Sequence, residues 1–481
     1  MIRYTIPFMC CLAMCILYCM RMNLNIAMTV MVQEPPEDAE TCIEELRPDG
    51  ENKCNNITTD TEAFDWNTTT QQLILGSFYI GYTIMPIPGG WLAGQIGGKR
   101  VIAIAVVWSS LLTSLIPTVA DISVNLLIAL RILDGLGQGI AVPGAYVLIS
   151  KWAIPNERST MVSITLSGMC MGLIISSYSS AWMCSSNIFG GWHFSFYSYG
   201  IAGAAWTLLW ITLIYESPSV HPFMSIKERE HINLALNQTE QKRFSVPWIE
   251  IFCSSPVLAL TLCMVTFEFG CYTLLSDMPL FFSHVLGYSL ETAGLLTLVA
   301  NIIQFGIKFT CGFIADVIIN RSYLSVRSTR KMFVAITLGV SSFFLILLNY
   351  FDNNHVTVTV VLVTIVYSIY GFDVAGIFSN PMDLSPPFAG IISGLMLTAS
   401  SITGFIGPLV LGTIINGENT LQKWNVFFAV VAGIHIFGLL VFLAFAQGEE
   451  QEWSKNAKVY EGESLALIRR SEKNQNRHVT E

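Results

Sequence analysis

Charge is what this sequence has least of. Asp, Glu, Lys and Arg make up 12% of its 481 residues, about half the share usual in soluble domains. Hydrophobic residues reach 53% and the mean hydropathy is +0.56. Such a chain has too little polar surface to clothe a water-soluble body, which excludes an ordinary soluble enzyme. No basic patch lies beside aromatic residues, so no nucleic-acid partner is expected. No nucleophile–base set and no phosphate-cradling loop is present. The twelve cysteines are scattered, mostly through apolar runs (Cys10, Cys11, Cys15, Cys19, Cys170, Cys263, Cys271, Cys311), and no CxxC faces a second one. A metal site and a resident cofactor are therefore not expected, and these thiols read as small packing groups. A clean leader-cleavage site is also missing. The opening MIRYTIPFMCCLAMCILYCM stays apolar through Val32, with Arg21 inside it, and reads as a first membrane span.

What the chain does have is long apolar runs. Windows of about 20 residues, the length that crosses a bilayer helix, recur at 5–32, 73–97, 101–119, 123–149, 160–182, 194–215, 256–284, 292–317, 332–350, 356–381, 388–415 and 425–447. The expected fold is an all-α membrane protein of twelve transmembrane helices in two six-helix bundles. The bundles are 1–215, with an outer loop at 33–72, and 251–447. A cytosolic linker, 216–250, separates them, and a cytosolic tail, 448–481, follows. With both termini cytosolic, 19 of the 25 Lys and Arg fall on the cytosolic side. Three (Arg47, Lys53, Lys423) fall outside, and three (Arg21, Arg131, Lys308) fall within spans. This is a strong positive-inside bias. Asn56-Ile-Thr and Asn67-Thr-Thr then lie outside as glycosylation acceptors, and Cys42 and Cys54 in the same loop are candidates for a disulfide. In the tail, Glu463 with Leu467 and Ile468 fits an acidic dileucine sorting pattern, and Arg469 and Arg470 beside it suit anionic lipid.

The intramembrane charges carry the functional reading. A guanidinium in a span costs roughly 2.5–3.5 kcal/mol on insertion scales, so it is there for a purpose or a partner. Arg21 in span 1 and Arg131 in span 4 fall at similar depth at 1.5 Å rise per residue. Two guanidinium forks suit a carboxylate or phosphate, so both are candidate ligands of an anion near the midplane. Asp134 and Gln138 share a face with Arg131 at i+3 and i+7. Asp134 is either a switch, releasing Arg131 on protonation or sodium binding, or a permanent partner. Glu268 in span 7 is a candidate proton or cation site. Lys308 and Asp373 share a depth in spans 8 and 10 and are expected to pair, as a brace or as part of the path. Tyr82, Tyr146, Tyr272 and Asn380 are candidate uncharged ligands. His435 reads as a packing histidine.

Gly90-Trp-Leu-Ala-Gly-Gln-Ile-Gly-Gly-Lys-Arg after span 2 is echoed by Gly312-Phe-Ile-Ala-Asp-Val after span 8. The repeat resembles the loop signature of the major facilitator superfamily, with Gly94 standing where that pattern usually has Asp. Arg21-Met-Asn-Leu-Asn, Phe64-Asp-Trp, Gly76-Ser-Phe-Tyr-Ile-Gly-Tyr, Arg131-Ile-Leu-Asp-Gly-Leu-Gly-Gln-Gly and Asn380-Pro-Met-Asp-Leu-Ser-Pro are similar to motifs of one family within it. That family comprises the type I sodium/phosphate cotransporters, sialin and the vesicular glutamate transporters. The resemblance implies a secondary active transporter of anions, a monomer in lipid, and no enzyme. Six positions depart from it. Proton-driven members carry a Glu where Gln138 stands and a His where Tyr146 stands. The glutamate carriers carry a His and an Arg where Leu75 and Phe267 stand. The family also places small or apolar residues where Lys308 and Asp373 stand. These departures favour the inorganic phosphate/organic-anion branch, driven by sodium or membrane potential, in the plasma membrane or an endolysosomal membrane. A sialin-like proton-coupled lysosomal exporter of acidic sugars or amino acids is the alternative.

Overall fold

The computed structural model describes residues 2–32, 64–186, 190–236, 245–351, 355–415 and 420–457. Ten helical segments are long and apolar enough to cross a membrane. They are span 1 (Ile2–Met31), span 3 (Gly98–Ile122), span 4 (Val124–Trp152), span 5 (Pro155–Ser185), span 7 (Ser255–Val285), span 8 (Glu291–Asn320), span 9 (Val326–Tyr350), span 10 (Val356–Leu384), span 11 (Ala389–Ile415) and span 12 (Leu421–Phe445). Two further helical segments occupy the other expected places. Span 2 is Thr68–Ile84 followed, after Met85, by Pro86–Ile96. Span 6 is Trp192–Leu213. Span 2 is divided into helices of 17 and 11 residues, and span 6 is a helix of 22 rich in Trp, Tyr, Ser and Gly. The outer-loop residues Cys42, Cys54 and Asn56, and the tail residues Glu463, Leu467 and Ile468, lie outside the described residues.

Local chemistry sets the helix ends. Asn67 caps the first helix of span 2, its side chain accepting from Thr70 N at 2.8 Å. Ser289 and Ser325 do the same for spans 8 and 9, each satisfying a backbone N–H that the first helical turn leaves unpaired. Asn67 is also exposed, as an acceptor for glycosylation must be. Interruptions follow proline. Span 2 breaks at Met85 ahead of Pro86, whose ring nitrogen has no hydrogen to donate to the preceding turn. Span 10 passes through a 3-10 turn, Tyr370–Phe372, and a π turn, Val374–Phe378, before Pro381. Large apolar side chains such as Leu111, Ile201, Leu208, Phe313 and Leu440 stand exposed around the rim, the pattern of a surface meant for lipid.

Contacts between the two halves concentrate at the end that carries Arg3, Arg100, Arg158 and Arg321, the basic end. There the Asp316 carboxylate on span 8 accepts from Ser159 N at 3.2 Å, Thr160 N at 2.7 Å and Thr160 Oγ1 at 2.7 Å. It thereby caps span 5 from across the seam, where a helix N-terminus favours negative charge. Arg158 donates to the Met382 carbonyl and Asn320 to the Asn156 carbonyl. Span 11 lies against span 2 so closely that Gly90 faces the Gly390 carbonyl and Gly394 faces the Pro86 carbonyl. The molecule is thus sealed at its basic end. Gly94, in the first copy of the repeat, has open space around it, and Ala389–Ser401 of span 11 begins with no side-chain cap.

Candidate functional site

Spans 2 and 4 pack backbone to backbone. A Cβ at Gly81 would collide with the Ile132 carbonyl, and one at Gly135 with the Phe78 carbonyl. Glycine at both crossings brings the Phe78 ring of span 2 up to Arg131 of span 4. The Arg131 Cζ lies 4.9 Å from that ring's centroid, and the Arg21 Cζ of span 1 lies 4.8 Å from it. One benzene ring therefore separates the two cations. Arg21 is further surrounded by Tyr18, Tyr79 and Tyr82, at 5.3, 4.7 and 4.9 Å. Ring faces attract cations electrostatically, which eases the burial of charge without using up an N–H donor.

The donors are accordingly left over. Arg21 is 3% exposed, yet none of Nε, Nη1 and Nη2 makes a well-formed hydrogen bond among the described residues, the Tyr82 hydroxyl approaching it at poor geometry. Arg131 is 2% exposed, and its Nε and Nη1 are unpartnered too. Its nearest carboxylate, Asp134 Oδ2, is 3.5 Å from Nη1, beyond a good charged hydrogen bond. Asp134 is instead shared with Gln138, whose Nε2 lies 3.3 Å from each carboxylate oxygen. Buried donors are almost always satisfied, and each orphan costs about 1–3 kcal/mol, more when charged. This cluster of unspent N–H groups beside two positive charges is complementary to the oxygens of an anion.

A second charged cluster lies in the other half. Lys308 Nζ is 2.8 Å from Asp373 Oδ2, both buried. The Phe378 ring lies 5.8 Å from the ammonium. Ser163 of the first half donates to the Lys308 carbonyl. Glu268 on span 7 is half-buried, with Lys308, Asp373 and Arg21 as its charged neighbours.

The structure assembles some of the expected residues and disperses others. Arg21, Arg131, Asp134, Gln138 and Tyr82 come together, and Tyr272 joins them through Tyr79, ring to ring at 6.3 Å. Tyr146 goes elsewhere: its hydroxyl donates to the Phe378 carbonyl at 2.5 Å, a tie between halves. Asn380 donates to the Gln447 carbonyl at 2.9 Å, near the basic end. His435 is fully buried against Tyr370, with Ser341 3.4 Å from its Nδ1. Phe78, Tyr79 and Tyr18 were not among the sequence candidates. Their signal was the aromatic spacing around Gly81, where Phe78 and Tyr82 stand one turn apart.

The family model for the Major Facilitator Superfamily matches residues 10–408. The chain belongs to this superfamily. Sialin from Ovis aries is 32% identical over 94% of this chain and 90% of its own length, which places the chain in the family of that transporter. Vesicular glutamate transporter 1 from Xenopus tropicalis is 29% identical, with 94% of this chain and 76% of that protein covered. Among solved structures, the proton:xylose symporter XylE superposes with a TM-score of 0.66 at 14% identity, covering 93% of this chain and 97% of that one. The transporter FucP gives 0.62 at 16%, covering 91% and 99%. The two solved structures share the fold, and the protein is a multi-pass membrane transporter rather than an enzyme.

Proposed function

We propose that this protein moves a small anion, inorganic phosphate or an organic acid, by alternating access, and that Arg21 and Arg131 hold it. One observation carries the reading: the Arg21 guanidinium is buried, ringed by aromatic faces, has no ion-pair partner among the described residues, and is approached by the Tyr82 hydroxyl without a well-formed hydrogen bond. A phosphate or carboxylate is a partner such a group lacks. The names of the relatives, sialin and vesicular glutamate transporter, fit an anionic cargo. The basic end is the cytosolic one. Both termini are cytosolic, the working unit is a monomer in lipid, and the membrane is the plasma or an endolysosomal one.

Two driving forces use the same site. Gln138, which cannot titrate, favours sodium or the membrane potential. The similarity to sialin favours proton-coupled export of acidic sugars or amino acids, for which Asp134 or Glu268 would take the proton. Uptake of labelled phosphate, glutamate, sialate and urate into liposomes, with and without sodium and at two pH values, separates them. Replacing Arg21 with Gln abolishes uptake of whichever anion is carried. Full flux after both Arg21 and Arg131 are replaced would end the reading.

A further inference from the structure

The charges of the core do not pair off evenly. Three cations, Arg21, Arg131 and Lys308, face three carboxylates, Asp134, Glu268 and Asp373, while a fourth, Asp277, lies nine residues further along span 7. Two pairs lie within ion-pair distance, Arg131 with Asp134 at 3.5 Å and Lys308 with Asp373 at 2.8 Å. Arg21 on span 1 and Glu268 on span 7 are left without an ion-pair partner among the described residues. They belong to opposite halves and are linked through aromatic rings: Arg21 lies 4.7 Å from the Tyr79 ring, which meets Tyr272, one turn along span 7 from Glu268, at 6.3 Å. Unpaired opposite charges in a low-dielectric interior compensate each other at a distance. A monoanion arriving at Arg21 takes that compensation away. Glu268 is then an excess negative charge, beside an Asp373 already held by Lys308.

We propose that Glu268 is the binding site of a co-transported proton, loaded when a monovalent anion binds at Arg21; this rests on the reading of Arg21 as the anion site. The step is simple protonation. A proton from the bathing solution bonds to a carboxylate oxygen of Glu268, and it leaves the same way, with the anion, on the far side. No other bond changes. A proton suits the place better than a metal ion. The Lys308 ammonium repels a metal cation. The remaining titratable groups around Glu268 are neutral near pH 7. Tyr18 and Tyr82 reach it from spans 1 and 2, Tyr367 from span 10, and Cys271 and Tyr272 from its own helix. His435 of span 12 faces Gly270, two residues along. Its charge state is therefore governed by Arg21 and by the Lys308–Asp373 pair. Binding of the two ligands is reciprocal: the anion strengthens proton binding by the factor by which the proton strengthens anion binding.

The test uses the full-length protein in liposomes. The probe is the anion, among labelled phosphate, glutamate and sialate, whose flux Arg21→Gln abolishes. Two quantities are read: accumulation driven by an imposed pH gradient, and exchange at equal pH and equal concentration. Glu268→Gln is expected to lose accumulation by about tenfold or more, together with the proton uptake that accompanies it, while keeping exchange. Glu268→Asp keeps both, with a displaced pH profile. Replacing sodium with choline leaves the unaltered protein unchanged. If Glu268→Gln still accumulates the anion against a gradient, the proton site is overturned and the arginine site stands. If Glu268→Gln loses exchange as well and Glu268→Asp restores it, Glu268 belongs to the anion site and the proposal fails. Flux that survives Arg21→Gln overturns the anion reading itself.

Discussion

At the scale of single residues, the site is built from groups that are buried and underused. Arg21 has three nitrogens without a well-formed hydrogen bond, so its interaction energy is available to a ligand rather than spent within the fold. Charged hydrogen bonds contribute roughly 1.5–3 kcal/mol each, and every 1.4 kcal/mol is about tenfold in affinity. Replacing Arg131 with Gln is therefore expected to weaken anion binding about ten- to a hundredfold, measured as the half-saturating concentration for uptake. The Lys308–Asp373 pair behaves differently, because both members are buried and matched. Neutralising either one alone strands the other charge, at a cost of about 3–5 kcal/mol. Lys308→Ala and Asp373→Ala should each lower the melting temperature in detergent, and the double variant should recover most of the loss. No recovery in the double variant would mean the two do not act as a pair. This pairing was legible beforehand, because counting residues from Asp316 and Asp383 sets the depth of each charge. The aromatic ring around Arg21 was not, because periodicity along one helix does not reveal which face meets its neighbour.

At the scale of elements, two glycines decide the site. Gly81 and Gly135 let spans 2 and 4 touch through their backbones, and this contact sets Phe78 between the arginines. A methyl group at position 135 must push the helices apart. Overpacking of this kind costs about 1–3 kcal/mol. Gly135→Ala is expected to lower thermal stability and to impair transport more than an alanine at Gly94, where the space is open. Equal effects at the two positions would remove the packing argument. The spans themselves could be placed from hydropathy to within a few residues, since twenty apolar residues have few alternatives. The π and 3-10 turns on either side of Asp373 carry no comparable pattern. The position of Tyr146 was illegible for another reason: which groups line the seam depends on the state the halves adopt, and no single helix encodes that.

At the scale of the whole molecule, the seal at the basic end is lopsided. Asp316 caps span 5 with two backbone bonds and one hydroxyl bond, while its counterpart position, Gly94, offers span 11 nothing. Loosening the single cap with Asp316→Asn should move the equilibrium toward opening at the basic end, on the order of tenfold for a charge-assisted bond. Gly94→Asp should oppose that opening. Maleimide labelling of a cysteine placed at Ser159, fully buried at the seam, reads both effects. Equal labelling in all three proteins would mean that the cap carries no weight in the equilibrium.

The chain beyond span 12 runs under the same end. Gln451 N donates to the Leu384 carbonyl, Ser454 meets Ser385 at 2.8 Å, and Asn380 binds the Gln447 carbonyl. Every one of these anchors belongs to the second bundle. These hydrogen bonds make the strap ride with that bundle as it rocks, while Glu450 within it lies in the field of Arg158 of the first bundle. A fluorophore on exposed Asn456, paired with one on exposed Arg100 of the first bundle, would work as an internal ruler, reporting each turn of the cycle without touching the path of the cargo.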